Sequence, residues 1–242
     1  MILYYIRHGE PIYNPDSLTE YGQEQARALV GRMTRLGLDK IYTSTSNRAI
    51  MTARPTCEAL GIEPEPLDFA NEGHAWRELG NEVYGKLRIR TWAFCDPEFR
   101  RRFNEPEVLA LGKRWYDSSL FDNTTLKQGI LRIQSGVDEL MASLGYVHDN
   151  ERNCYRNERA PGQGPDRVAI FAHQGFGLAF LSCLTDVPYP LFCTRFDLSH
   201  SSVTAIEFSD DPVVYPRILQ LSNDSHLYKE GILRKYNNAI DV

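Results

Sequence analysis

The spacing of apolar residues changes period several times along the chain, and each change marks an element. Met1-Ile2-Leu3-Tyr4-Tyr5-Ile6 is an unbroken apolar run rich in β-formers, which reads as a strand buried on both faces. Residues 7–17 are polar and turn-rich, with Gly9, Pro11, Asn14 and Pro15. The period then becomes helical. Ala26, Leu29, Val30, Met33 and Leu36 share one face, Thr19 is placed to cap it and Gly37 to stop it. Residues 40–44 read as a second strand. A helix over about 47–60 follows, with Ala49, Ala53, Cys57 and Leu60 on one face and Gly61 beyond. Pro55 lies inside that pattern and either kinks or restarts it. Strand, helix, strand, helix signals an α/β sheet with parallel neighbours, and residues 64–69 can add a third strand.

Residues 73–125 differ. They hold all three tryptophans, the run Arg100-Arg101-Arg102 and no clear strand. They read as a helical insertion in a single domain spanning 1–242. Ile130, Ile133, Val137, Leu140, Met141 and Leu144 then mark an amphipathic helix ended by Gly145. Residues 149–167 are polar, with Pro161, Gly162, Gly164 and Pro165, and read as an exposed loop long enough to be mobile. Residues 168–172 form another buried strand, and an apolar helix to about Leu184 comes next. Pro188 and Pro190 forbid its continuation. Residues 202–208 and 217–221 read as two last strands, able to pair as a hairpin.

Composition narrows the class. Of the 242 residues, 42% are hydrophobic and 24% charged, as in a globular protein rather than a disordered, collagen-like or coiled-coil chain. Lys and Arg number 27 against 32 Asp and Glu, a net charge of −5. Nucleic acid is therefore not an expected partner, since its binders carry a basic excess. Five cysteines form no Cys-x-x-Cys pair, so neither a disulfide framework nor a zinc ribbon is suggested. Cys57 and Cys183 fall in apolar helical patterns and read as core. No run approaches the roughly 18 apolar residues of a membrane span, and the apolar start meets Arg7 too soon for a signal peptide. A cytoplasmic protein without a membrane partner is the expectation.

Open α/β sheets bind ligands beyond the carboxyl ends of their strands. The first strand leads into Arg7-His8-Gly9-Glu10 and the second into Ser44-Thr45-Ser46-Asn47-Arg48. The possible third leads into Ala70-Asn71-Glu72, and the strand at 168–172 into His173-Gln174-Gly175. On one rim, these bring together two histidines, two arginines and a glutamate, a set suited to phosphoryl transfer. A transferring phosphoryl group spreads negative charge over three oxygens, with attacking and leaving atoms in line. Arg7 and Arg48 can clamp two oxygens through planar donors, and His173 can donate to the same group. Asn14 and the backbone amide of Gln174, near a helix N-terminus, can complete the cradle. One nitrogen of His8 can attack phosphorus, provided an acceptor holds the proton on the other. Glu72 is placed to protonate the leaving alkoxide and later to take a proton from water. Burial raises the pKa of such a carboxyl while nearby arginines lower it. Each motif alone has a plainer reading, as a surface turn, a solvated arginine or a structural histidine. Their joint placement at strand ends favours the site. His74, His148, His200 and His226 lack that placement and read as structural.

Arg7-His8-Gly9-Glu10 resembles the signature of the histidine phosphatase superfamily, the phosphoglycerate-mutase-like proteins. Leu18-Thr19-Glu20-Tyr21-Gly22-Gln23-Glu24-Gln25-Ala26 is similar to that family's Leu-Thr-x-x-Gly-x-x-Gln-Ala helix start. Tyr42-Thr43-Ser44-Thr45-Ser46-Asn47-Arg48-Ala49, with Thr52-Ala53, is similar to the segment carrying its second phosphate-binding arginine. Phe171-Ala172-His173-Gln174-Gly175 resembles the segment of its second histidine. The resemblance implies a three-layer α/β fold, with a mixed sheet parallel except for one strand, flanked by helices, and a helical cap over the site. It implies His8 as nucleophile, with Arg7, Arg48 and His173 on the phosphoryl group and Asn14 in the place of a further ligand. It implies no metal or other cofactor. Three departures stand out. Gln174 replaces the first glycine of His-Gly-Gly. The acid segment fits loosely, so Glu78 remains an alternative to Glu72. Residues 84–125 carry no motif that can be placed and are expected to set substrate choice.

The resulting expectation is a phosphomonoester phosphatase acting on a phosphorylated small molecule through His8, with its oligomeric state left open. One alternative is a phosphoglycerate-type phosphomutase, whose cap would turn basic residues inward. Arg88, Arg90 and Arg100 to Arg102 are the candidates, against the blander reading of an exposed charged helix. The other is a non-catalytic phosphate-binding module of the same fold. A zinc hydrolase has no supporting ligand spacing.

Overall fold

The structure, a computed structural model, describes residues 1–83, 89–160 and 162–233. The N-terminal apolar run forms β1 (Ile2–Arg7). Its side chains alternate: Leu3 and Tyr5 enter one apolar cluster, Tyr4 and Ile6 another. A strand apolar on both faces needs cover on both, and the helices supply it. A hairpin of β2 (Pro11–Tyr13) and β3 (Asp16–Leu18) leads into α1 (Glu20–Leu36). Thr19 caps α1, its hydroxyl oxygen accepting from the Gly22 N–H at 3.0 Å. Gly37, at φ 69°, ends it in the left-handed conformation that glycine tolerates best. β4 (Lys40–Ser44) and α2 (Asn47–Leu60) follow, and α2 runs through Pro55 without restarting. β5 (Glu65–Leu67) is the third strand the pattern allowed.

α3 (Glu72–Leu79), β6 (Gly80–Val83), β7 (Ile89–Trp92), α4 (Pro97–Phe103) and α5 (Pro106–Ala110) come next, then short 3-10 turns up to Phe121. The segment expected to be helical therefore also holds an antiparallel pair, β6 with β7. Each strand is four residues long and interrupted by polar positions such as Asn81 and Thr91, so no apolar run announces it. Phe99, Phe103, Trp115 and Phe121 from this segment are buried in the same cluster as Leu3 and Tyr5. Arg88 lies outside the described residues.

The remaining elements are α6 (Leu126–Ser143), β8 (Tyr146–Asp149), β9 (Cys154–Asn157), β10 (Arg167–Ala172), α7 (Gln174–Thr185) and α8 (Tyr189–Arg195). They are followed by β11 (Val203–Glu207), β12 (Val213–Val214), β13 (Arg217–Asn223) and α9 (Ser225–Lys229). The expected 149–167 loop needs correction. Its residues 154–157 are β9, paired with β8 and β12 in a small separate sheet. Cys154 and Tyr155 are buried there, but two apolar residues in a polar stretch are too few to read as a strand. Pro161 of that stretch lies outside the described residues.

The main sheet has the order β13-β11-β1-β10-β4-β5. β1 pairs parallel with β10, β10 with β4, and β4 with β5. β11 pairs antiparallel with both β1 and β13, so it alone runs against the rest. α1 and α2 cover one face through Leu29, Met33, Ala53 and Cys57. α6 and α7 cover the other through Ile133, Val137, Phe176 and Phe180. In these three layers, the carboxyl ends of β1, β4 and β10 and the amino end of β11 share one rim.

Candidate active site

Beyond that rim lies a cavity of about 700 Å³. Its floor starts with the turn after β1. A Cβ on Gly9 would stand 2.5 Å from the Gly22 carbonyl oxygen, and one on Gly22 would stand 2.2 Å from that of Glu10. The turn thus lies backbone to backbone on the start of α1, which only glycine at both places permits. The Gly9 N–H donates to Thr52 Oγ1 at 3.0 Å, tying the turn to α2 as well.

His8 is 3% exposed. Its Nδ1 stands 2.6 Å from the Gly9 carbonyl oxygen. A carbonyl only accepts, so Nδ1 carries the proton and Nε2 keeps its lone pair. Arg48 Nε donates to that Nε2 at 3.3 Å. Burial, then the charges of His173 and Arg7, hold the His8 pKa well below its ordinary 6.5, against the pull of the Gly9 bond. His8 is therefore neutral at pH 7, with an unprotonated Nε2.

His173, fully buried at the end of β10, places its ring centroid 5.1 Å from that of His8, edge to face. Its Nε2 is 2.8 Å from Ser44 Oγ at the end of β4. Burial, with Arg48 and Arg7, also pushes its pKa far down. Glu72 opens α3, where Asn71 caps the helix on the Gly73 N–H. Glu72 Oε1 accepts from the Gly175 N–H at 3.1 Å, and Oε2 stands 3.2 Å from His173 Nδ1. Arg48, buried in the first turn of α2, donates through Nη1 to Asp16 Oδ1 at 2.7 Å. Arg7 donates through Nη1 to the Leu198 carbonyl and through Nη2 to His200 Nε2 at 2.7 Å.

Of the residues singled out from sequence, Arg7, His8, Arg48, Glu72 and Gln174 line the cavity, and His173 stands directly behind His8 and Glu72. Asn14 does not line it. It is exposed in the turn between β2 and β3, where its neighbours Tyr13 and Asp16 take the lining places. Gln174 opens α7 and donates from Nε2 to Asp197 Oδ1. Glu78 points elsewhere, both its oxygens accepting from Arg132 on α6 at 2.9 and 2.8 Å. Of the basic residues considered for a mutase cap, Arg90 and Arg100 to Arg102 do not line the cavity either. Arg90 donates to the carbonyls of Trp76, Arg77 and Gly80. Arg101 and Arg102 pair with Glu98 on their own helix, and Arg100 faces a groove beside α8.

His200, read as structural, belongs here: its ring is 5.8 Å from that of His8, and burial, with Arg7, pushes its pKa down to about 3. Its signal was its place just before the last long apolar strand. An antiparallel strand begins at the rim where its parallel neighbours end, so the residues before β11 meet those after β1. Asp16, Trp76 and Trp92 were also missed as lining residues. Among the described residues, no group of three or more His, Cys, Asp or Glu side chains is placed to hold a metal ion. No described helix is long and apolar enough to cross a membrane.

The mixed, mostly parallel sheet flanked by helices is a fold shared with solved structures of phosphatases. Phosphoserine phosphatase from Entamoeba histolytica, in complex with 3-phosphoglyceric acid, aligns over 93% of this chain and 98% of its own, with TM-score 0.56 and 18% identity. Mycobacterial glucosyl-3-phosphoglycerate phosphatase with inorganic phosphate aligns over 93% and 98%, with TM-score 0.59 and 18% identity. Alpha-ribazole phosphatase from Shigella flexneri aligns over 93% and 97%, with TM-score 0.55 and 18% identity. At such identity the likeness is one of fold. Residues 3–112 also match the model of the histidine phosphatase superfamily (branch 1).

Proposed function

We propose that this protein is a phosphomonoester phosphatase that works through a phosphohistidine on His8. One observation carries the reading: the proton of His8 is held at Nδ1 by the Gly9 carbonyl, so that Nε2 faces the Arg48 guanidinium as a bare lone pair. The phosphoryl group of an ester sits between Arg7, Arg48 and His173, with the first amide of α7 beside it. The guanidiniums meet the charge on its equatorial oxygens. Arg48 Nε gives up its long contact with Nε2 as the phosphoryl arrives. The Nε2 lone pair forms the P–N bond while the ester P–O bond breaks, and protonated Glu72 gives its proton to the departing oxygen, which leaves as an alcohol. Water then attacks phosphorus and Glu72 takes its proton. The P–N bond breaks, its electron pair returns to Nε2, and phosphate is released.

Quenching turnover of a ³²P-labelled ester should trap a phosphoenzyme that is labile in acid and stable in base, as a phosphoramidate is. His8→Ala should trap none. Free phosphate and alcohol should form in equal amounts. Isomerised ester without free phosphate would replace this reading by a mutase, and full turnover by His8→Ala would sink it.

A further inference from the structure

Beyond the phosphoryl cradle, three aromatic rings stand in the walls of the cavity, among polar residues such as Thr45, Ser46 and Asn71. Trp76 on α3, Trp92 on β7 and Tyr13 on β2 all line it. The two indoles are not loose. Trp76 meets Trp92 edge to face at 4.8 Å between centroids, and Trp92 stacks on buried Phe94 at 5.5 Å. The far edge of the Trp92 ring packs onto the start of α7. A Cβ on Gly175 would stand 2.4 Å from Trp92 Cζ2 and Cη2 and 2.8 Å from Glu72 Oε1. The indole edge and the carboxyl are therefore immediate neighbours across one glycine. Whatever alcohol Glu72 protonates must hold its oxygen at Glu72, so its carbon body begins against Trp92.

Charge narrows the choice. Among the described residues, the cations lining the cavity are Arg7 and Arg48, and both are used by the phosphoryl group. The acidic groups there are Asp16 and Glu72, and Glu72 carries its proton while the ester is bound. Among the described residues, a leaving group bearing its own carboxylate or second phosphate meets no counter-charge at this wall beyond the two arginines, and one acidic group of like sign. A flat ring instead finds fixed aromatic faces and edges to pack on.

We infer that the preferred substrate is a phosphate monoester whose leaving alcohol carries an uncharged aromatic ring within a bond or two of the ester oxygen, seated against Trp76 and Trp92. The inference rests on the phosphatase reading and adds the class of ester to it. Phenyl esters are a poor probe because phenolates leave easily from any phosphatase. Benzyl phosphate and cyclohexylmethyl phosphate both leave as simple primary alcohols of similar size, and differ in the flatness and π-character of the ring. The wild type should favour benzyl over cyclohexylmethyl phosphate by about three- to tenfold in kcat/KM, and 3-phosphoglycerate should be poorer than either. Trp76→Leu should lower kcat/KM for both esters, benzyl phosphate the more, and so bring their ratio close to one. Trp76→Phe, which keeps a ring, should restore part of the ratio. Equal or inverted rates on the two esters, or 3-phosphoglycerate as the best of the three, overturn the inference and leave the phosphatase reading standing. Failure on all esters removes the phosphatase reading instead. The affinities of the two ring esters for the wild type, measured by calorimetry, then decide the ring preference by the same ratio.

Discussion

Two sets of buried imidazoles in the protein differ in charge, one neutral and one cationic. In the site, His8 and His173 lie among Arg7, Arg48 and one another, and burial together with those cations drives both pKa values far down. Across the sheet, His148 on β8 is just as dry, its side chain 1% exposed. There Nδ1 meets Asp138 Oδ1 at 2.7 Å and Nε2 meets Asp186 Oδ2 at 3.1 Å. The ring stacks on Tyr155 at 4.5 Å, and Lys113 joins Asp186 from its other side. Burial pulls the His148 pKa down, but hydrogen bonds to the two aspartates and their charges carry it up to about 9. Burial alone therefore fixes no charge state; the partners do. The proposed reaction needs a neutral nucleophile that repels protons and welcomes an anion. The clasp needs a cation to join α6, β8 and the end of α7.

The hardest way to break the contrast is to remove the nucleophile. His8→Ala should lower kcat by on the order of 10⁴-fold or more, measured as phosphate release, with the melting temperature little changed. Glu72→Gln comes next. For an alkyl phosphate, it should cost about 10²- to 10⁴-fold in kcat. For 4-nitrophenyl phosphate, whose leaving group needs no proton, the loss should be much smaller. Equal losses on the two esters would remove Glu72 as the acid.

Removing the other imidazole acts on stability and spares chemistry. His148→Gln should destabilise the fold by about 3 kcal/mol at pH 7, because two carboxylates are left in place around the gap, with kcat unchanged. The pH dependence has a definite sign. His148 has a pKa near 6.5 unfolded and about 9 folded, so its contribution is complete below 6.5 and is lost as pH rises through 9. The site histidines do the reverse. Their folded pKa values are depressed, so stability is lost as pH falls below 6.5. Urea unfolding followed across pH should show two declining limbs for the wild type. His148→Gln should keep the acid limb and lose most of the alkaline one.

The two regions also differ in how far the sequence disclosed them. The strand ends that carry Arg7, His8, Arg48 and His173 follow continuous apolar runs, and a buried parallel strand must deliver its next residue to the rim. The rim was therefore legible before any coordinates. Asn14 was misplaced because it sits in a hairpin turn, where one residue's displacement exchanges an inward side chain for an outward one. Tyr13 and Asp16 line the cavity instead. The His148 clasp was invisible, because Asp138, His148 and Asp186 are far apart in sequence and follow no spacing. Only the packing of α6 and α7 on the same side of the sheet unites them. The β6–β7 pair and β9 escaped for a related reason: strands of four residues with polar positions take their identity from a partner. His200 escaped because its position at the rim depends on β11 running against its neighbours, a direction the apolar pattern does not encode.

His200 supplies the mildest and most discriminating test, since it is a half-buried imidazole that touches a cation. With its pKa pushed down to about 3, it stays a neutral acceptor for Arg7 Nη2 throughout the working pH range. Together with the Leu198 carbonyl on Nη1, it fixes the plane of the guanidinium that is to meet the phosphoryl oxygens. On the proposed mechanism, His200 is a positioning residue that acts through Arg7. His200→Phe keeps a flat ring and removes the acceptor. The KM for a phosphomonoester and the inhibition constant of inorganic phosphate should both rise about tenfold, with kcat changed less. His200→Gln, which offers an acceptor of similar reach, should recover part of that loss. A change confined to thermal stability, with both constants unmoved in the two variants, would return His200 to the structural role first read from its sequence. The contrast would then stand on His8 and His173 alone.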